Sequence, residues 1–481
     1  MKETSRFYSS LGLLIVLNAI IKPFWIFGID RSVQNAVGTV AYGTYFSLFN
    51  LSVVFSFLLD WGLTAFFNRQ LASKKENFSE QAGNFLLIKL VFSGLYAAVI
   101  AGVAIFTHIE RWDILWSVIF IQVFTSMFLF FRSVITARQW FRTDAFLSVL
   151  DKTLMILICG SFLYFPAMFG KINISKFLSA QMICTALAMI TAFIILLKRG
   201  IIFLSFHISA WNKNLFSSAL PFAIIVLLMS VHYRLDGFLL ERIHPYGAHE
   251  AGVYAAAYRL LDAANMIGVL LSSFLLPYVA RQWSEQKNIT DVVLNNRHFL
   301  IMFSITIASV CFFLAQWIQN VLYHHRSEDA VTVLQWCLPA LIGYSLVQIY
   351  GTIITATGHI VSFCYIVLGA VLINIILNLL LIPTLGAKGS CYAALASQWS
   401  CGIATLIYTK RKLGVNIDFR SVIIYIFTAG LLAGFFYVSK NWNISRLFLI
   451  GGAGIITLFV MFATGLLGIR KWISSLRKTQ L

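Results

Sequence analysis

Residues 220–240, LPFAIIVLLMSVHYRLDGFLL, are apolar over most of their length and then carry Tyr233-Arg234-Leu235-Asp236 inside the run. At 1.5 Å per residue this stretch is about 30 Å long as a helix, the thickness of a bilayer's hydrocarbon core. A charge at that depth costs about 2.5–3.5 kcal/mol on insertion scales, so it faces a cavity, a partner or a transported species. The next apolar run repeats the grammar as Tyr258-Arg259-Leu260-Leu261-Asp262. Two consecutive membrane spans with polar groups inside them point to a polar pathway.

The rest of the chain extends this reading. Its 481 residues are 59% hydrophobic and 11% charged, with a mean hydropathy of +0.84. Soluble domains average about 25% charged residues, so this is an integral membrane protein. About fourteen runs of membrane-spanning length follow one another, centred near Val16, Val53, Tyr96, Val123, Ile156, Ala188, Ile225, Ile267, Thr306, Tyr344, Leu372, Thr405, Leu431 and Ile456. Connecting loops of no more than about 20 residues leave no room for a soluble domain. The expected fold class is all-α and polytopic. Lys2 and Arg6 precede the first run, which continues through Lys22 and Pro23 without a small-residue cleavage pattern; it reads as a retained helix.

The 36 Lys and Arg give a net charge of +18. In a soluble protein that would suggest nucleic acid. Here, with the N-terminus in the cytoplasm, the excess falls on alternate loops, among them Lys74, Lys75, Arg138, Arg142, Lys410, Arg411, Lys412, Arg470 and Lys471. That is the positive-inside bias, and it puts both termini in the cytoplasm, with attraction to anionic lipid as a by-product. Nucleic acid is not an expected partner. The seven cysteines lie in or at the ends of spans without a Cys-x-x-Cys pair and read as small core residues. His324-His325 makes no metal spacing, and no nucleophile elbow, phosphate loop or paired catalytic carboxylate appears. No metal, cofactor or catalysis is expected.

Gly43-Thr44-Tyr45-Phe46 matches Gly252-Val253-Tyr254-Ala255, and Phe165-Pro166…Gly170 matches Ile382-Pro383…Gly386. Both offsets are roughly 210 residues, the sign of an internal repeat. Six spans per repeat is an even number, so the halves are expected to be parallel, with a site between them. The domain reading is 1–200 (spans 1–6), 201–413 (spans 7–12) and 414–481 (two further spans and a basic tail).

Depth sorts the intramembrane charges. Lys89, Arg132, Asp151 and Lys152 lie near the inner ends of their spans, where they snorkel or pair locally. Lys22, Arg234 and Arg259 lie in spans one, seven and eight, by residue count in the outer half of the membrane. They are candidate cations for one anionic group. Arg259 and Asp262 are one helical turn apart and suited to pair, whereas Arg234 and Asp236 are not. Asp60, Asp236 and Asp262 are candidates for H⁺ or Na⁺ coupling, Asp60 equally for accepting hydrogen bonds from nearby helix ends. His232 reads first as a structural imidazole, with titration near neutrality as the alternative. Phe46, Phe49, Phe55 and Phe57 read as lipid-facing bulk. Trp112, Trp116, Trp211 and Trp442 read as interfacial anchors.

Pro221-Phe222, Arg234-Leu235-Asp236, Gly252-Val253-Tyr254, Tyr258-Arg259 and Pro277 together resemble the seventh and eighth helices of Wzx-type polysaccharide repeat-unit flippases. Tyr42-Gly43, Leu59-Asp60-Trp61-Gly62-Leu63, Gly351…Thr357-Gly358-His359 and Leu381-Ile382-Pro383…Gly389 are similar to that family at matching places. The resemblance covers nearly the whole chain through an ensemble of loose motifs. It implies the multidrug/oligosaccharidyl-lipid/polysaccharide exporter fold: two six-helix lobes plus two C-terminal helices, working by alternating access. It implies a flippase for polyprenyl-pyrophosphate-linked oligosaccharide, used in O-antigen or other polysaccharide assembly at the bacterial inner membrane. The family's cavity cations carry over to Arg234 and Arg259 by motif and to Lys22 by position. Other polysaccharide-assembly membrane proteins are candidate partners. A lipid II flippase or a multidrug/cation antiporter of the same fold is the alternative, and a membrane glycosyltransferase or ligase a distant one.

Overall fold

The computed structural model describes residues 2–62, 78–201, 213–324, 327–415, 418–442 and 444–466. Leu63, Lys74, Lys75, Trp211, His325, Arg470 and Lys471 lie outside the described residues. Within them the chain is helical, without a strand. A backbone crossing lipid must satisfy its own N–H and C=O groups, and a helix does this within one segment. The long helices are α1 (Lys2–Pro23), α2 (Thr39–Val54), α3 (Phe78–Phe106), α4 (Trp112–Ala137), α5 (Phe141–Tyr164), α6 (Ile174–Lys198), α7 (Lys213–Ile243), α8 (Gly247–Ser284), α9 (Thr290–Phe313), α10 (Ala340–Ala356), α11 (Ile360–Leu385), α12 (Ala387–Leu413), α13 (Phe419–Val438) and α14 (Arg446–Ala463).

Among the described residues, 13 helical stretches are long and apolar enough to cross a membrane, and each contains one of the expected span centres. The remaining centre, Thr405, lies in α12, which falls short in apolarity because it buries polar residues: Ser390, Ser397, Gln398, Thr405 and Thr409. Small residues let α12 approach its neighbour. A Cβ on Gly343 would lie 2.7 Å from the Gln398 carbonyl carbon, and one on Gly402 would lie 2.8 Å from Leu346 Cβ. Close backbone approach through small residues is the usual device for packing helices in lipid.

Two helices are broken at their charged residues. α1 gives way after Lys22 and Pro23 to a π-helical stretch, Phe24–Asp30, in which the Arg31 N–H reaches back to Ile26 O. Arg31–Val37 then completes the first span. α2 tightens into a 3₁₀ turn at Phe55–Leu59 and stops at Asp60. Trp61 and Gly62 follow with positive φ, 46° and 73°.

The chain forms two compact units, residues 1–242 with 246–252, and 243–245 with 253–481. The 1–200, 201–413 and 414–481 division concerns the repeat. Packing, a separate property, joins α7 to the first unit and α13 and α14 to the second.

In the first unit the core runs through Phe85, Ile88, Phe130, Phe131, Val134, Leu147 and Ala192. Phe46 is fully buried, against the expectation of lipid exposure, because Gly237 of α7 packs on its ring and on Asn50. The two glycines paired by the sequence repeat meet here: a Cβ on Gly43 would strike Ala248 O and lie 2.7 Å from Gly252 N, and one on Gly252 would strike Thr39 O. Gln34 Nε2 donates to Gly252 O at 3.0 Å across the same contact.

In the second unit α13 and α14 pack on α9 through Met302, Ile424, Val460 and Met461, and a Thr306–Thr457 hydroxyl pair at 2.7 Å links α9 to α14. All seven cysteines are free and six are buried, Cys364 being half-buried. Trp116 and Trp442 are exposed as anchors should be, and Trp112 is half-buried.

Candidate site: charged groups within the spans

Asp60 ends the 3₁₀ turn of the second span, and this places its carboxylate beside α3. Lys89 Nζ lies 2.7 Å from Asp60 Oδ1 and also donates to Leu59 O at 3.2 Å. Lys89 is 2% exposed and Asp60 36%. The Lys89 ammonium sits 5.8 Å from the Phe130 ring centre. Lys89 was expected to snorkel or pair locally; instead it is buried and pairs with an acid 29 residues away. Asp60, read from the sequence as a candidate for ion coupling or for accepting from nearby helix ends, is half of an ion pair. The pair borders a cavity of about 320 Å³ lined also by Ser56, Phe57, Gln122, Ser126 and Ala223.

A second group of charges lies around α1, α4 and α5. Arg132 clasps Asp144 through Nε–Oδ1 at 2.7 Å and Nη2–Oδ2 at 3.1 Å, a bidentate pair across the α4–α5 turn. Lys152 pairs with its neighbour Asp151 at 3.0 Å and lies 5.5 Å from the Trp25 ring centre. Asn18 Nδ2 donates to Ser148 Oγ at 2.8 Å, tying α1 to α5. Lys22 belongs with these charges: it is half-buried, and its electrostatic neighbours are Arg132, Asp151 and Lys152. The sequence reading separates Lys22 from them by depth, and the structure groups them. Among the described residues, Lys22 is the one cation of the group with no acid at ion-pair distance.

On α7, Arg234 is half-buried, Asp236 is 3% exposed and His232 is 1% exposed. On α8, in the second unit, Arg259 and Asp262 are half-buried. All five are engaged by hydrogen bonds, rings or charges of the protein, so the reach of Arg234 toward an anion does not depend on its lacking a partner.

Besides Asp144, two further buried charged groups, Asp30 and Arg297, are not picked out by the sequence reading. Asp30, 3% exposed at the end of the π-helical stretch, accepts a 2.9 Å hydrogen bond from Tyr42 Oη. Arg297 of α9, 2% exposed, makes a 3.5 Å contact to Tyr350 Oη and lies 6.0 Å from the Tyr425 ring centre, while its Nε and Nη2 lack hydrogen-bond partners. Neither stands in a recognisable motif, so only depth in an apolar run could have flagged them. Among the described residues no group of His, Cys, Asp and Glu is arranged to hold a metal.

The comparisons with known proteins agree with this architecture. A family described as polysaccharide biosynthesis protein matches residues 11–283. The chain is similar to the Lipid III flippases of Escherichia coli K12 and Shigella flexneri, 22% identical over 229 residues, 46% of this chain and 55% of each relative. It thus spans about half the length of the curated relatives it matches. Among solved structures it is similar to the Lipid II flippase MurJ in an inward closed conformation, with TM-score 0.67, 15% identity and 95% and 100% of the two chains covered. It is also similar to an inward-facing multidrug resistance MATE transporter of the MOP superfamily, with TM-score 0.63, 11% identity and 83% and 98% coverage. At such identities these likenesses establish the fold, which is the exporter fold expected from the sequence.

Proposed function

The chain belongs to the polysaccharide biosynthesis protein family, and from that premise we propose that this multi-pass membrane protein is a flippase. It moves a polyprenyl-pyrophosphate-linked oligosaccharide from the cytoplasmic to the outer leaflet of a bacterial inner membrane, with both its termini in the cytoplasm. The observation that carries the reading is the family match on a chain whose spans hold Lys22, Arg234 and Arg259. The Lipid III flippases named above support the substrate class. The family and its relatives favour transport over catalysis.

A lipid-linked sugar carries a pyrophosphate that hydrocarbon cannot solvate. Arg234 and Arg259 offer planar forks that match phosphate oxygens, and Lys22 a point charge. Cations at these positions replace the water lost by the anion while the polyprenyl tail stays in lipid. Alternating access then presents the same group to the outer side. With the cell interior negative, an anion moving outward gains about 2.3 kcal/mol per charge per 100 mV if it crosses the whole field. Asp236 and Asp262 remain the candidates for H⁺ or Na⁺ entry. Asp60 is a weaker one, since Lys89 already occupies one of its oxygens at 2.7 Å.

Depletion of the protein should trap a lipid-linked oligosaccharide on the cytoplasmic leaflet, and its isolation identifies the glycan. Arg234→Ala, Arg259→Ala and Lys22→Ala should insert normally and reproduce the block, with lysine at either arginine position rescuing in part. Full export by all three variants would overturn the cation-site reading. Export unchanged after collapse of both ion gradients would exclude obligatory coupling.

A further inference from the structure

The cavity beside the Lys89–Asp60 pair has a composition that the transport of an anion does not explain. Gln122, Thr125, Ser126 and Leu129 of α4 line it, at the i, i+3, i+4, i+7 positions that make one helix face. Ser56, Phe57 and Asp60 line it from the second span, Lys89 from α3, and Ala223 and Val226 from α7. All these residues belong to the first unit. Its volume, about 320 Å³, is at the small end of the range for ligand pockets.

The polar groups differ in how far the protein itself uses them. Thr125 Oγ1 is bonded to Ile121 O, and Ser126 Oγ to Leu59 O at 3.4 Å. Lys89 Nζ is engaged by Asp60 and Leu59 O. The Ser56 hydroxyl and the Gln122 amide, both half-buried, make no hydrogen bond within the protein among the described residues. Beside them, Phe57 and Trp61 form an aromatic pair with ring centres 6.0 Å apart, and the Trp61 Nε1–H is buried without an acceptor. Polar side chains inside a membrane span are costly unless they find partners. Here the carboxylate, amide and hydroxyl share one cavity with an aromatic wall, and its one ammonium is already neutralised.

We infer that this cavity is a saccharide subsite, taking one neutral, hydroxyl-rich sugar ring of the transported glycan; the inference rests on the flippase reading above. Asp60 accepts from ring hydroxyls, Gln122 both donates and accepts, Ser56 completes the set, and the Phe57 face covers the apolar side of the ring. A phosphate is disfavoured, because Lys89 is matched by Asp60 and the cavity offers no second cation. The sugar and the pyrophosphate are thereby read by different residues of the chain.

The test uses the purified full chain in lipid nanodiscs and two probes. One is undecaprenyl pyrophosphate without sugar. The other is the lipid-linked glycan that accumulates when the host is depleted of this protein. Gln122→Leu and Ser56→Ala should each weaken binding of the glycan-bearing probe about ten-fold, the worth of one well-made hydrogen bond, and leave the sugar-free probe unchanged. Phe57→Leu serves as a second variant if Gln122→Leu fails to fold. Equal loss for both probes, or no loss for either, overturns the subsite. Wild-type protein that binds neither probe overturns the flippase reading instead.

Discussion

Lys89 and Asp60 form an ion pair whose two halves are unequally enclosed: the ammonium is 2% exposed, while the carboxylate, 2.7 Å away, is 36% exposed and borders a cavity. Removing the carboxylate leaves an almost fully enclosed ammonium with only the Leu59 carbonyl to hold it, whereas removing the ammonium leaves a carboxylate that is already one-third exposed and more readily hydrated. Breaking a buried pair from one side costs about 3–5 kcal/mol, and replacing both partners by apolar groups is often neutral. Asp60→Asn should therefore destabilise the purified protein far more than Lys89→Met, and the double variant should recover most of the loss. Thermal unfolding in one detergent checks all three. Equal destabilisation by the two single variants would contradict the asymmetry.

Gly43 and Gly252 tolerate no side chain. A Cβ at either would overlap backbone, Ala248 O for Gly43 and Thr39 O for Gly252, whereas Gly94 and Gly102 have nothing within 4 Å. Gly43→Ala and Gly252→Ala should sharply reduce the monodisperse peak on fluorescence-detected size exclusion. Gly94→Ala and Gly102→Ala should elute as wild type, since helix propensity favours Ala over Gly by about 1 kcal/mol.

Arg297 holds a permanent charge with two nitrogens unpartnered in a span-forming helix. Such a group is a net cost to folding that a similar apolar chain avoids. Arg297→Met should leave the melting temperature unchanged or raise it. A fall of several degrees would mean that the guanidinium holds a group that compensates its charge.

Lys22 and Lys152 share one electrostatic neighbourhood, but Lys152 is paired with Asp151 at 3.0 Å. Lys22→Ala should lower export of the lipid-linked glycan by an order of magnitude or more, and Lys152→Ala much less. Equal loss would point to the net charge of the cluster rather than to Lys22. Leaflet-specific labelling of the accumulated glycan makes the measurement.

Hydropathy locates spans well because a helix crossing lipid must be apolar along its length, whatever it touches. For the same reason it could not tell Phe46, fully buried, from an aromatic facing lipid: protein core and hydrocarbon are equally apolar, so the periodicity that separates them in soluble helices fades. α12 was found despite its buried Ser and Gln because Ala, Ile and Cys keep the run recognisable. Arg234 and Arg259 were legible as charges in apolar runs. The Asp60–Lys89 pair was not, since it joins residues 29 apart through a 3₁₀ turn that no local motif announces. The grouping of Lys22 with Arg132 and Asp151 depends on α1 lying against α5, which is likewise a tertiary fact.

The π-helical stretch after Pro23 sets a phase. In an unbroken α-helix each residue advances the side-chain direction by roughly 100°, so the wider turns at Phe24–Asp30 offset everything before them from everything after. Asp30 and Gln34 face the core while Lys22 stays with Arg132 and Asp151, a combination that a regular helix of the same sequence would not hold. Deleting one residue within 31–33, where the span winds as a regular helix, would swing Lys22 by roughly a quarter turn relative to Gln34 without altering any charge. The reading frame of the first span is thus itself a determinant of where its cation points.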